Sequence, residues 1–437
     1  SEGQLKLVLR HYEKMLAHHR QHLPVKVARP TEIVREMTEE MTGEDFSWTE
    51  QLDTYSHPGY IPDLQPWDVG FYSEQLRQQR YAISQEMLRP YFPIDTVING
   101  MFGIVQKLYG IELREVAEFE RWHKDARLFE VIEQGEVIGR FFLDLYARAN
   151  KRGGAWMSNF VEQSDLWGTS PVIYNVLNIP KAPEGEVQLV SFDWVNTTFH
   201  EFGHALHGFF ADQTYPSLSG TATARDFVEY PSQVNEMWAT YPEVLQHYAK
   251  HYKTGETIPT ALVDKIKASS KFNQGYDFGE VLEAALLDMK WHALSKDEAA
   301  AIDTPEKVTA YADRSLSELG LEVALVPPRY RTTYFNHIFS GPTGYSAGYY
   351  SYLWTQMLDR DSRAWFLQNG GLTRENGDHY RDTVLSQGGT QDYGEMYRNF
   401  AGRDPDVKYM LIALGLADEE PGTPEQTAEG TSDGRVD

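Results

Sequence analysis

Phe199-His200-Glu201-Phe202-Gly203-His204 sets two histidines four positions apart, with a glutamate directly after the first. On a helix, His200 and His204 stand one turn apart on one face. Both imidazoles then reach a single zinc ion, and Glu201 faces the water that ion would hold. Val195, Phe199, Phe202, Leu206 and Phe209 recur at helical spacing, and Asp193 is placed to cap the start. Two histidines and a glutamate on a buried helix are costly unless something pairs with them, and a metal does so. His207 lies near the same face but two turns from His200, too far along the axis to share the ion. It reads as packing or as support for a ligand. A compact third histidine would need Gly at 207 and His at 210, where this chain has His207 and Phe210, so the third ligand comes from elsewhere. Glu229, Glu236 and Glu243 are the downstream candidates, and spacing alone leaves them open. Asp226, one turn before Glu229, is placed to accept a hydrogen bond from a ligand imidazole, which favours Glu229.

Peptide hydrolysis at such a centre follows a known logic. The metal lowers the pKa of water, Glu201 takes the proton as general base, and the oxyanion needs further donors such as a Tyr hydroxyl or a His N–H. The stretch Tyr334–Trp354 offers both. It holds His337, a turn-rich run from Ser340 to Gly344, then Tyr345, Tyr349 and Tyr352 at i, i+4 and i+7. On a helix these three share a face, either as an aromatic core stripe or as a lining that closes on a ligand.

The elements that must position these groups are mostly helical. Helices are expected over 3–23, 68–91 and 94–109, then from 241 to about 320 with Gly275 and Gly279 as local breaks, and 278–292 reads as helical and buried. Extended runs at Arg127–Glu133 and Glu136–Tyr146, joined by Gln134-Gly135, predict a β-hairpin. Further runs at Ala155–Val161, Pro171–Leu177 and Val187–Phe192 complete a small sheet just before the motif helix. Ala155, Trp156 and Met157, behind Gly153-Gly154, are the expected strand edge on which a substrate backbone would pair.

Among the 437 residues, 41% are hydrophobic and 13% aromatic, which is globular composition. A net charge of -24 disfavours nucleic acid and anionic membrane as partners. The absence of cysteine removes thiol catalysis and cysteine metal sites. No run of 18 apolar residues occurs, and the chain opens on Ser1 without a signal-peptide pattern. The expectation is a monomer in the cytoplasm, with the periplasm as the other compartment. Residues 1–417 are expected to form a single helical catalytic region, and 418–437, rich in Glu, Asp, Thr, Gly and Pro, an acidic disordered tail.

Five segments together resemble the thimet oligopeptidase family of zinc peptidases, and most nearly its bacterial dipeptidyl carboxypeptidase branch. They are Phe199–His207, Asp226–Gln233, Gly348–Gln356, Gly154–Gln163 and Pro171–Val176, and the similarity runs from about residue 70 to about 414. The resemblance implies a mainly α, zincin-like multihelical fold with a small β-sheet beside the zinc helix and a deep substrate channel. It implies one Zn2+ per chain on His200, His204 and Glu229, and hydrolysis of oligopeptides with release of C-terminal dipeptides. It places His337, Tyr345 and Tyr352 at positions that contact substrate or its oxyanion in relatives. Two departures stand out: the His337–Tyr345 segment is about two residues longer, and most of the family's N-terminal helical region is missing. An endo-acting oligopeptidase and a zinc-binding scaffold with reduced catalysis are the alternatives. An exo-acting enzyme needs a cation for the terminal carboxylate, and Arg329 and Arg331 are candidates by charge and position, against a solvated surface for each.

Overall fold

A computed structural model describes residues 66–321, 326–341 and 344–417. The helix expected over 3–23 and the acidic tail lie outside the described residues. These residues form two compact units, the first from residues 66–83, 264–353 and 413–417, the second from 84–263 and 354–412.

In chain order the principal elements begin with α1 (Pro66–Tyr81) and α2 (Ile94–Tyr109). The sheet strands follow: β1 (Ile111–Glu115), β2 (Arg127–Glu133), β3 (Glu136–Tyr146), β4 (Trp156–Val161) and β5 (Val172–Ile179). After them come α3 (Phe192–Phe209), α4 (Arg225–Glu236), α5 (Gln274–His292), α6 (Pro305–Glu318) and α7 (Ser351–Gln368).

The second unit is a helical layer laid on a five-stranded sheet of order β1-β2-β3-β5-β4. β2 and β3 pair antiparallel through a turn in which Gln134 and Gly135 both have positive φ, 50° and 89°. That is the requirement of a two-residue turn whose twist matches its strands. β3 and β5 run parallel, and β4 closes the row antiparallel to β5. Phe141 on β3 meets Phe202 and Phe209 of α3 at ring separations of 5.3 and 5.9 Å, and Phe102 of α2 meets Phe129 and Phe202. This aromatic layer fixes α3 over the sheet. α2 stops where expected: Gly110, at φ 69°, donates its N–H to the carbonyl of Gln106.

Several expectations need correction. Val187–Phe192 is not a strand. Its one bridge pairs Leu189 with Pro93, which has no N–H to continue a ladder, and Phe192 already opens α3. The cap of α3 is Ser191, whose Oγ accepts the N–H of Trp194 at 3.4 Å, so Asp193 sits inside the first turn. The helix expected over 68–91 ends at Tyr81. Ala82 at φ 49° breaks it, and Ser84 caps a separate turn, Gln85–Leu88.

In the first unit, α5 runs unbroken through Gly275 and Gly279, both expected as breaks, and buries Leu282 to Asp288. Ala284 and Ala285 of α5 pack with Phe335, Ile338 and Tyr349. Gly344–Tyr350 is a series of turns, not the helix that the tyrosine spacing predicts; α7 begins only at Ser351. The reason is tertiary. The N–H groups of Ala347 and Tyr349 are taken by the Asp288 carboxylate, and Ala347 sits at φ 52°.

Candidate active site

α3 and α4 come close because Gly203 faces α4 with no side chain. A Cβ there would lie 2.7 Å from Cα of Ser232 and 3.1 Å from the carbonyl oxygen of Pro231. Contacts across the pair hold the register. Asn235 Nδ2 donates to the carbonyl of Phe199 at 2.6 Å, and Asn196 Nδ2 donates to Glu236 Oε2 at 2.6 Å. The result brings Glu229 of α4 to the two histidines of α3. Its Oε2 lies 3.2 Å from Nε2 of His200 and 3.2 Å from Nε2 of His204. The three ligating atoms lie within 4.8 Å of one another, and among the described residues no other such group forms. Two imidazole nitrogens and one carboxylate oxygen are the donor set of a divalent metal of borderline softness, so the residues fit one.

Electrostatics agree with that arrangement. Burial would lower His200, but hydrogen bonds to Glu229 and Glu236 outweigh it and hold the ring well above its ordinary value. Burial would raise Glu229, yet His204 and His200 beside it hold its carboxyl well below the usual range. Glu201 is buried, and burial pushes its carboxyl up, with His200 and His204 partly offsetting the rise. Its Oε2 has no hydrogen-bond partner among the described residues. A buried carboxylate left unpaired beside a metal-binding group is suited to receiving a proton.

Glu236, which spacing alone leaves open as a ligand, takes a different place. Its Oε1 lies 2.7 Å from Nδ1 of His200, the ring nitrogen turned away from Glu229. This contact fixes the tautomer so that Nε2 carries the lone pair toward the metal position. The sequence argument gives that task to Asp226, and the structure does not. His200 Nδ1 is engaged by Glu236, and His204 Nδ1 has no hydrogen-bond partner among the described residues. Asp226 stands in the first turn of α4 at φ −83° and ψ 17°, outside helical geometry. His207 is fully buried, and burial pulls it to about 3, so the ring is neutral.

β4 is an edge strand, as expected for Ala155–Met157, though Ala155 itself precedes it. Met157 faces α3: its Cε would stand 3.1 Å from a Cβ at Gly208. Trp156 points to the opposite face, with the Arg152 guanidinium 5.8 Å from its ring.

In the first unit, His337, Tyr345, Tyr349 and Tyr352 form one aromatic group. Tyr345 and Tyr352 stack at 5.6 Å, and His337 meets Tyr345 and Tyr349 at 5.7 and 5.5 Å. The N–H of Tyr345 donates to the carbonyl of His337 at 2.8 Å. Tyr349 is only 4% exposed and packs on Ala284 and Ala285, so it belongs to the core beneath the other rings rather than to a substrate-facing surface. Arg329 places Nη1 3.5 Å from Glu280 Oε2, which partly answers its charge, and Arg331 is exposed.

Two histidines one turn apart, a glutamate from the next helix and a buried carboxylate between them define a metallopeptidase centre. The model of peptidase family M3 matches residues 9–416, and the chain belongs to that family. It is 48% identical over 354 residues to dipeptidyl carboxypeptidase of Escherichia coli (strain K12), covering 80% of this chain and 51% of that protein. To oligopeptidase A of the same organism it is 39% identical over 364 residues, covering 82% and 52%. The chain therefore spans about half the length of the curated relatives it matches. Among solved structures, Pyrococcus furiosus carboxypeptidase aligns with a TM-score of 0.42 at 14% identity, covering 80% of this chain and 65% of that one. No helix among the described residues is long and apolar enough to cross a membrane.

Proposed function

We propose that this chain carries the centre of a zinc peptidase that removes dipeptides from the free C-termini of oligopeptides. The observation that carries the reading is the convergence of His200, His204 and Glu229 around one position, with Glu201 buried beside them. The greater identity to dipeptidyl carboxypeptidase than to oligopeptidase A favours exo over endo action.

A bound zinc ion supplies Lewis acidity at the scissile carbonyl and acidifies water. The chain's own residues do the rest. Glu236 holds His200 through Nδ1. Glu201 accepts a proton from the attacking water and passes it to the leaving amine. His337 and Tyr352 donate to the oxyanion, and Tyr345 grips substrate. The β4 edge pairs with the substrate backbone. A monomeric state and a cytoplasmic location belong to the same reading, checked by sedimentation and by fractionation.

Mass spectrometry of peptide digests tests the proposal, comparing free and amidated C-termini with and without a chelator. Stepwise loss of dipeptides from free C-termini only, abolished by the chelator, is expected. Internal cleavage of amidated peptides points to an endopeptidase instead, and no metal-dependent cleavage to a binding scaffold.

A further inference from the structure

Asp288 is completely buried in α5, and its carboxylate points at a turn sixty residues away in sequence. Oδ1 accepts the N–H of Ala347 at 2.9 Å, and Oδ2 accepts the N–H of Tyr349 at 2.9 Å. His292, one turn on, places Nδ1 2.8 Å from Oδ1. Ala284 and Ala285, one turn before it on the same helix, pack into an apolar core with Phe335, Ile338 and Tyr349. A charge in such a place needs partners, and here most of them come from one turn. That turn is strained. Ala347 sits at φ 52°, in the left-handed region that a Cβ disfavours. Asp288 grips the chain at Ala347 and two residues beyond it. Further anchors stand beside these: the N–H of Tyr345 donates to the carbonyl of His337, and Ser346 Oγ donates to the carbonyl of Ile338, both at 2.8 Å.

We propose that Asp288 is the positioning residue of the tyrosine turn: by holding Ala347 and Tyr349 through their backbone N–H groups it sets where Tyr345 and Tyr352 stand. The proposal rests on the reading that these two tyrosines act on substrate. Asp288 touches no reacting atom. It acts by keeping the chain in a conformation that Ala347 would otherwise leave, so that the stacked Tyr345 and Tyr352 rings keep one orientation.

The test compares Asp288→Asn with the unaltered protein, both loaded with zinc. The amide offers one acceptor oxygen in place of two and turns an N–H2 toward a backbone donor, so one of the two bonds is lost. Amide hydrogen exchange is expected to speed up by about tenfold or more in peptides covering 345–350 and to stay unchanged in peptides covering 199–207. kcat/KM on an oligopeptide falls about tenfold to a hundredfold at full zinc content. Unchanged exchange at 345–350, acceleration spread evenly over the protein, or unaltered kcat/KM each overturns the proposal. Tyr352→Phe, measured alongside, separates the two layers. Full activity there removes the reading beneath, while a slow Tyr352→Phe beside a fast Asp288→Asn removes only the role of Asp288. If the single variant does not fold, Asp288→Asn/Ala347→Gly is compared with Ala347→Gly alone, which already lacks the φ penalty; faster exchange at 345–350 and slower turnover in the double variant are expected, and equal values overturn the proposal.

Discussion

Glu201, Glu229 and Glu236 surround one pair of imidazoles, and each makes a different prediction. Glu201→Gln keeps its metal and loses turnover by about 10²–10⁴-fold, because only proton transfer is removed; metal analysis beside kcat checks it. Glu229→Ala loses the ion, whereas Glu236→Gln weakens binding by about 10–100-fold, as loss of an outer partner of a ligand histidine does. Competition with a chelator ranks the two, and the reverse order would overturn the ligand assignment. Tyr352→Phe lowers kcat and kcat/KM together by about 10²–10³-fold with KM nearly unchanged, while Tyr345→Phe acts more on KM. Phe tolerated without kinetic change at both positions would return the pair to the core. At this scale the sequence reads well where one helix carries both partners, as with His200 and His204. It reads poorly where the partner comes from another element. Asp226 and Glu236 are both acidic and both near Glu229 in sequence, and only the packing of α4 on α3 decides which one meets His200.

Between elements the decisive contact is Gly203 against Ser232 and Pro231. Gly203→Ala forces a methyl group onto backbone that cannot rotate away. It should destabilise the fold by roughly 1–3 kcal/mol, as overpacking does, and weaken metal binding because Glu229 retreats with α4. Thermal melting and a chelator titration measure both; unchanged metal affinity would show that the helix pair adapts. The β2–β3 hairpin was legible to the residue because Gln134-Gly135 states its own turn. The Gly344–Tyr350 turn was not, because the tyrosine spacing describes a helix and Asp288 lies in a distant element. Val187–Phe192 carries strand composition, but strand formation also depends on the neighbour, and Pro93 cannot serve as one.

For the molecule as a whole, composition and the five matching segments indicated the class of fold, while the division of the described residues into two units had no composition shift or linker to announce it. Stability should carry a pH signature from the first of these units. Burial, with Glu280 nearby, pushes the Glu283 carboxyl up to about 8 from its ordinary value of 4.5. Between those values the native state keeps a proton that the unfolded chain has released. Stability therefore falls as pH rises from about 4.5 to about 8. Glu283→Gln should flatten that slope and raise the melting temperature at pH 8, and an unaltered slope across the window would count against the assignment. A last consequence follows from the outer edge of β4, which no other described strand covers. An edge ready for a visiting peptide is equally ready for the same edge of another copy, the first step toward a fibril. The register shift between Asn159 and Val161 interrupts the regular pairing after Trp156–Asn159, which leaves a flat run of only about 13 Å at strand rise. Two such edges offer few ladder bonds, and the net charge of -24 on each chain opposes their approach. The interruption thus shortens the run on which a second copy could pair, while Trp156–Asn159 remain regular for the substrate pairing proposed above.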